Sequence, residues 1–227
     1  MSVLAADGVR QAFGGGAFLR VVNWHNTPVP ERSTLRAELA WYLDRFDPVL
    51  PEHLDRFFDT GEWPLRRPGF VAAFYDGYLN NATVAAPVCD ELGLPAWFFP
   101  PTTFLSVEPE HQREYADAHD IDLVDEERHQ PALAMTWDHL AAISARHVVG
   151  AHTANHVEAR HVRTAEDAER EVLGPVRRIE ALTGRRPPAF AWLWGAPFDG
   201  ASVAGQALLQ AGVRYAFSNT VIQRIAD

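Results

Sequence analysis

An aspartate and two histidines supply the side-chain types that bind a divalent metal ion. Asp76 follows the apolar run FVAAFY, and His152 and His156 lie in the segment AHTANH after another apolar run. The four-residue spacing lets both imidazoles face one ion if the backbone turns helically there. Each feature alone has an ordinary structural explanation, because Asp-Gly is a common turn and such histidine pairs occur on exposed helices. Their occurrence together after separate strands favours a metal site.

Other polar and aromatic residues also follow apolar runs. His25 comes after VVNW, and Trp194 comes after FAWL. In an open α/β sheet or a barrel, ligands bind beyond the carboxyl ends of the strands. We therefore expect these residues to lie at the same end of the sheet as the aspartate and the two histidines.

The elements that position these residues alternate between β-prone runs and helical patterns, which is typical of a parallel sheet with crossover helices. A polar, acidic segment over about 106–131 interrupts the alternation, and we interpret it as a surface insertion that covers a site. The predicted strands are 18–24, 70–75, 96–99, 147–150, 189–193 and 215–217. Predicted helices begin at Ser33 or Thr34, Asn80 or Asn81, Thr136 and Thr164, and helix ends are expected near residue 46, Gly93, Gly184 and Gly212.

The composition limits the possible classes of function. The chain has 227 residues, of which 47% are hydrophobic, and its formal net charge is -10. We find no linker, so residues 1–227 are predicted to form a single domain. The sequence contains no lysine, which excludes Schiff-base enzymes and the GxxxxGK[ST] phosphate-binding loop. The single Cys89 excludes an internal disulfide framework.

The charge and hydropathy also predict the partners. A net charge of -10 without a dense basic run argues against a nucleic-acid surface. No apolar window approaches membrane-spanning length, and the first residues lack the pattern of a signal peptide. We expect a cytoplasmic protein with a neutral or cationic small-molecule or saccharide substrate.

Four segments in order resemble a known family. AFYDGY (73–78) is similar to a first motif TFDDGY, HTANH (152–156) to a second motif with two metal-binding histidines, FAWLWGAP (190–197) to a third motif, and LLQAGVRYAFS (208–218) to the helix and strand after it. These are motifs of the NodB-homology polysaccharide deacetylases, carbohydrate esterase family 4. The resemblance implies an α/β fold, a distorted (β/α) barrel with fewer than eight strands. NWHNTP, with His25, resembles the circularly permuted poly-N-acetylglucosamine deacetylases, which carry their catalytic histidine early in the chain.

The resemblance implies metal-dependent removal of an N-acyl group, most simply acetyl, from an amino sugar or another small intracellular metabolite. Asp76, His152 and His156 would hold one divalent ion, Zn²⁺ first and Ni²⁺, Co²⁺ or Mn²⁺ as alternatives. His25 would protonate the leaving amine or stabilise the oxyanion. The expected stacking surfaces for the substrate are the indoles of Trp97, Trp192 and Trp194, although we expect at least one of them to pack in the core instead.

Tyr75 departs from the family pattern, because it stands where the family has its base aspartate. An aspartate with a pKa near 3.9 accepts a proton at neutral pH, whereas a tyrosine with a pKa near 10 does not. We predict that Tyr75 points into the metal pocket and donates a hydrogen bond to the substrate or oxyanion. The alternative is that strand alternation buries its ring against a helix.

Two other functions remain open. A relative that has lost the base would bind a ligand or catalyse a different metal-assisted reaction. A serine hydrolase is the other alternative, but GASVAG around Ser202 does not match the GxSxG motif. Turnover of N-acetylated compounds distinguishes the deacetylase from the relative without a base.

Overall fold

The computed structural model describes residues 19–218 and 221–226, and it alternates short strands with helices as predicted. All six predicted strands are present, although the predicted start at residue 18 lies outside the described residues. Three further short strands, β2, β6 and β9, were not predicted. The strands are β1 (Leu19–Trp24), β2 (Asp47–Pro48), β3 (Gly69–Tyr75), β4 (Trp97–Phe99), β5 (Val148–Val149), β6 (Ala151–His152), β7 (Ala189–Ala191), β8 (Tyr215–Ser218) and β9 (Val221–Arg224).

The strands form two sheets that are parallel except at one edge. The first has the order β1-β3-β4-β5, with β2 also pairing with the start of β3. The second has the order β6-β7-β8-β9, in which only β9 is antiparallel. Only Gly150 separates β5 from β6, and a Cβ there would lie 2.2 Å from the Phe99 ring. A glycine at this position therefore lets the chain pass from one sheet to the other against that ring.

Strand β3 shows how the sequence builds the core. Its side chains alternate between two hydrophobic clusters. Phe70 and Phe74 pack in the outer cluster with helical residues. Val71 and Tyr75 belong to an inner cluster that contains only strand and loop side chains, apart from Leu54. Both faces are buried, which explains why the strand reads as a continuous apolar run.

The inner cluster joins the two sheets into a barrel-like wall. It combines Val71 and Trp97 of the first sheet with Ala191 and Phe217 of the second. The wall consists of β1, β3, β4, β5 with β6, β7 and β8, which is fewer than the eight strands of a complete (β/α) barrel. The predicted α/β fold class is confirmed.

Helices cover the outside of this wall, and two of the predicted capping residues are confirmed. The hydroxyl oxygens of Thr136 and Thr164 accept hydrogen bonds from the backbone N–H groups three residues ahead. Gly93, Gly184 and Gly212 adopt positive φ angles after helix ends, as predicted. The helices are α1 (Arg32–Leu43), α2 (Pro51–Thr60), α3 (Ala86–Leu92), α4 (Gln112–Ala118), α5 (Trp137–Ile143), α6 (Ala165–Ala168), α7 (Gly174–Thr183) and α8 (Val203–Ala211). Wider π turns lie at Asn81–Ala85 and Glu169–Leu173.

At two predicted helix starts, the predicted side chains do not cap the helix. A 3-10 turn at Val29–Glu31, with proline in its first turn, leads directly into α1. Glu31 is therefore the N-cap residue, and Ser33 lies inside the helix. The side-chain amide of Asn81 does not cap a helix but donates a hydrogen bond to the Tyr75 carbonyl at 2.9 Å. Helical backbone nevertheless begins at residues 79–80 and continues through the π turn Asn81–Ala85 into the α-helix, so the predicted start is close to the observed one.

Segment 106–131 contains α4 and returns toward the carboxyl ends of the strands. Its backbone contacts the segment AFYDGY (73–78) at Asp122, whose carbonyl accepts a hydrogen bond from the Tyr78 hydroxyl at 2.7 Å. Across the described ranges, no helix combines the length and hydropathy required to cross a membrane.

Candidate active site

Asp76 lies immediately after β3, at a sharp turn. Its φ is 66°, in the left-handed region that aspartate tolerates better than most residues, and Gly77 follows at 70°. A Cβ on Gly77 would lie 2.7 Å from Leu105 Cδ1, so glycine suits both the angle and the space. The Asp76 N–H remains bonded to the Phe99 carbonyl oxygen at 3.2 Å. The turn directs the carboxylate away from the strand.

The two histidines are brought together by a tight turn after β6. Thr153 holds the turn, because its hydroxyl oxygen accepts from the Val157 N–H at 2.8 Å and donates to the Val157 carbonyl at 3.1 Å. His156 has a φ of 54°. The centroids of the His152 and His156 rings are 4.9 Å apart. The predicted pairing of the rings is therefore present, although a non-helical turn produces it.

Asp76, His152 and His156 form one buried cluster. Each can offer a ligand atom, and these atoms all lie within 4.8 Å of one another. The three residues are only 4%, 2% and 5% exposed. Nε2 of His156 lies 3.1 Å from Oδ1 of Asp76.

The hydrogen bonds of the histidines fit a metal ion. Nδ1 of His156 lies 2.6 Å from the carbonyl oxygen of His119, which can only accept, so Nδ1 must donate. Nε2 of His156 is then left to bind an ion. Nδ1 of His152 lies 3.2 Å from the hydroxyl oxygen of Thr153, which already donates its proton to the Val157 carbonyl. In the tautomer that can bind an ion, Nδ1–H donates to this oxygen and Nε2 of His152 is the other ligand atom. The Thr153 backbone N–H, 3.0 Å from the same Nδ1, favours the other tautomer when no ion is bound. Backbone orientation of the second ring nitrogen is usual for metal-binding histidines, and two imidazoles with one carboxylate are a donor set that zinc accepts.

The electrostatics of the cluster favour the ligating forms of two of its members. Burial alone would raise the pKa of Asp76, but the hydrogen bond and charge of His156 lower it below its usual value. Burial and the neighbouring His156 lower the pKa of His152 to about 3. For His156, burial is outweighed by the bond to Asp76, which raises the pKa. At neutral pH the carboxylate is ionised and His152 is neutral.

A cavity of about 390 Å³ opens onto the cluster at the carboxyl ends of the strands. Four of the residues predicted to act there line it together with the cluster, namely His25, Tyr75, Trp192 and Trp194. The volume is in the usual range for a small-molecule site.

Tyr75 faces the barrel interior and the cavity, not a helix. Its ring stacks between Phe99, at a centroid distance of 5.1 Å, and His25, at 5.7 Å. The residue is 6% exposed, and its hydroxyl has no hydrogen-bond partner among the described residues. Burial and the charge of Asp76 raise the pKa of Tyr75, so the phenol stays protonated and cannot act as a base at neutral pH.

The three tryptophans differ in position. Trp97 is fully buried in the inner cluster, and its indole N–H donates to the Val49 carbonyl at 2.8 Å, so the predicted substrate contact is wrong for this residue. Trp192 lines the cavity although it is only 4% exposed, and its ring packs on Phe190. Trp194 is 69% exposed at the rim, with a φ of 60°.

Sequence reasoning missed several residues of the cavity wall. Asp120 and Asp122 come from segment 106–131 and add two carboxylates to the wall. Asn23, on β1, also lines the cavity. Tyr78 also lines the cavity, and its place in the DGY motif could have predicted this. No local pattern predicts Asp120 and Asp122, because they approach the cavity only through tertiary packing.

Comparisons with known proteins identify the family and the fold. The family model described as polysaccharide deacetylase matches residues 66–216. No curated protein matches the chain significantly.

Several solved structures share the fold. A de-N-acetylase from Aggregatibacter actinomycetemcomitans is 18% identical, with 92% of this chain and 91% of that chain covered and a TM-score of 0.66. IcaB from Ammonifex degensii is 16% identical, with 88% and 83% covered and a TM-score of 0.64. The BpsB deacetylase domain from Bordetella bronchiseptica is 16% identical, with 87% of both chains covered and a TM-score of 0.59. With a family match over most of its length, the chain belongs to the polysaccharide deacetylase family.

Proposed function

We propose that this protein is a divalent-metal-dependent hydrolase that removes an acetyl group from the nitrogen of an amino sugar. One observation carries the proposal: in a chain of this family, a buried Asp76, His152 and His156 converge beneath a cavity of suitable size. The similar structures that are named as deacetylases support the same chemistry. A saccharide is the favoured substrate, and another small N-acylated metabolite is the alternative.

The three cluster residues would hold the ion, with Zn²⁺ as the first candidate and Ni²⁺, Co²⁺ or Mn²⁺ as alternatives. A bound divalent ion supplies Lewis acidity, which polarises a carbonyl and makes water a better nucleophile. Asp76 contributes a charge that lowers the net positive charge at the site, and the His119 carbonyl fixes the orientation of His156. Hydrolysis adds water to the acyl carbon, breaks the C–N bond and places a proton on the amine.

The protein's own side chains would transfer the protons and stabilise the negative charge that develops on the acyl oxygen. His25 is exposed at the rim and stacks on Tyr75, a position from which its imidazole can protonate the leaving amine. The protonated Tyr75 hydroxyl would donate a hydrogen bond to the acyl oxygen. Because Tyr75 cannot accept a proton, Asp120 and Asp122 are the candidates for the base. Separate Asp120→Asn and Asp122→Asn variants test which of them is needed for turnover.

A second candidate function is a ligand-binding relative that has lost catalysis. The protonated, buried Tyr75 at the position of the base favours this alternative. Metal content is the same for both functions, but acetate release is not. The deciding experiment screens the purified, zinc-loaded chain against N-acetylated sugars and N-acetylated amino acids. Acetate release from any of them supports the hydrolase, whereas binding without release supports the second function.

The cytoplasmic location stays a prediction. It bears on the substrate, because a cytoplasmic enzyme would meet small amino sugars instead of cell-surface polymers. Cell fractionation with an antibody against the full chain tests it.

A further inference from the structure

Two polar atoms in the cavity wall are buried without a hydrogen-bond partner. They are Oδ1 of Asn23 and the hydroxyl oxygen of Tyr75. The described part of the chain contains one other such side-chain atom, Nε2 of His147, which does not line this cavity. Buried polar groups in folded proteins are nearly always paired, so two unpaired atoms in one wall indicate that a ligand supplies their partners.

The strand register explains how these two atoms share the wall. Asn23 on β1 lies opposite Ala73 on β3, and Tyr75 is two residues further along β3 on the same face. On β1, Asn23 lies between Val21 of the inner cluster and His25 at the rim, so its side chain also faces inward. The small side chain of Ala73 leaves space next to the Asn23 amide. Both atoms therefore face the ligand from neighbouring strands.

The two atoms differ in hydrogen-bonding capacity. The side-chain oxygen of Asn23 only accepts hydrogen bonds, whereas the hydroxyl of a tyrosine, which is protonated at neutral pH, can donate one. A secondary amide offers the matching pair, an N–H donor and a carbonyl acceptor. An ester offers the carbonyl but has no N–H, so it would leave Oδ1 of Asn23 unpaired.

We propose that Asn23 determines specificity for N-acyl over O-acyl substrates by accepting the amide N–H. This inference rests on the proposed acyl substrate but not on catalysis. Sites built to accept a hydrogen bond reject analogues that lack the donor, because the acceptor then stays buried and unpaired. A bound water molecule is the competing explanation, and it would satisfy Asn23 equally well beside an ester.

The test uses two ligands that differ in one atom, N-acetylglucosamine and 2-O-acetylglucose. Their dissociation constants are measured by ligand-observed NMR on the purified, zinc-loaded full chain. We expect the wild type to prefer the amide by about three- to tenfold, the range that a single neutral hydrogen bond gives. Asn23→Ala should lose this preference by weakening amide binding alone. Asn23→Asp retains an acceptor oxygen of the same shape and should keep the preference.

The possible failures are distinguishable. Equal preference in the wild type and Asn23→Ala would overturn the role of Asn23, as would a wild type that does not prefer the amide or binds neither compound. Such a result leaves the hydrolase in place if acetate is released in the substrate screen. Conversely, the expected preference without acetate release would overturn the hydrolase and leave the role of Asn23 standing.

Discussion

Nε2 of His156 lies 3.1 Å from Oδ1 of Asp76, at the bottom of a cavity, with both side chains buried. The other nitrogen of the same ring is committed to the His119 carbonyl. His156 therefore links segment 106–131 to the Asp76 carboxylate, which follows directly after β3. The same two contacts would orient the ring for the proposed metal ion.

Removal of one proposed ligand should abolish metal binding. His152→Ala leaves two ligand atoms in the cluster, and we expect zinc affinity to fall by more than about 100-fold, beyond the loss caused by changing residues that only orient a ligand. Elemental analysis should find about one ion per wild-type chain and almost none in the variant. His161→Ala is the control, because it removes an exposed histidine near the same turn. Equal zinc in all three proteins would refute the ligand assignment.

Tyr75→Phe should lower turnover without lowering stability. The hydroxyl has no partner in the described structure, so its removal costs no internal hydrogen bond. Loss of a donor to the oxyanion should reduce kcat by about 10²- to 10³-fold. Steady-state kinetics and thermal unfolding of the two proteins measure both effects.

Tyr75→Asp tests the other possibility at the same position. It restores the pair of aspartates found in the family motif that AFYDGY resembles. If only this variant releases acetate, the natural protein is the catalytically inactive relative. If Tyr75→Phe retains the full wild-type rate, the hydroxyl is not the donor.

Glu171 should stabilise the turn that carries the histidines. It is buried, and its carboxylate accepts from the Asn155 N–H at 3.0 Å and from the Asn155 side-chain amide at 2.8 Å. Glu171→Ala leaves both donors unpaired, so we expect the free energy of unfolding to fall by about 2 kcal/mol. Zinc affinity should fall by about 10- to 100-fold because the ligands are held less firmly.

Glu169→Ala is the matched control for this experiment. Glu169 lies two residues away and forms an exposed ion pair with Arg177. Exposed pairs contribute little, so the change in unfolding free energy should stay below about 1 kcal/mol. Similar losses in urea unfolding of the two variants would show that Glu171 has no special role.

Glu127 should make stability depend on pH. Burial raises the pKa of its carboxyl to about 7 from a usual 4.5, against the hydrogen bonds donated by Asn80 and the Val124 N–H. The folded state therefore binds this proton more tightly than the unfolded state. The resulting stabilisation is complete below pH 4.5 and is lost as the pH rises to about 7.

Glu127→Gln removes this titration. Between pH 4.5 and 7, the unfolding free energy of the wild type should decrease relative to that of the variant. Urea unfolding at several pH values measures the difference. A constant difference across this range would contradict the assignment.

The features that sequence predicted correctly depend on local patterns. The apolar run of β3 gave a strand, and the Asp-Gly pair marked the turn at Asp76. The caps at Thr136 and Thr164 were also predictable, because a cap is decided within four residues.

The features that sequence missed depend on tertiary contacts. The sequence around Trp97 resembles that of a strand residue facing the cavity, but the side chains of the inner cluster bury its ring. Asp120 and His119 reach the site only because segment 106–131 folds back on the second motif. The unpaired Oδ1 of Asn23 depends on the register of β1 with β3, which no pattern within either strand specifies.

Acetate release by the reconstituted protein tests the proposed hydrolase most directly. The full chain is stripped of metal with a chelator and reloaded with zinc, and acetate is measured after incubation with an N-acetylglucosamine oligomer. We expect release by the reloaded wild type, none by the stripped protein and none by His152→Ala treated in the same way. Equal release by the stripped and reloaded proteins, or by His152→Ala, would contradict a metal-dependent deacetylase centred on Asp76, His152 and His156.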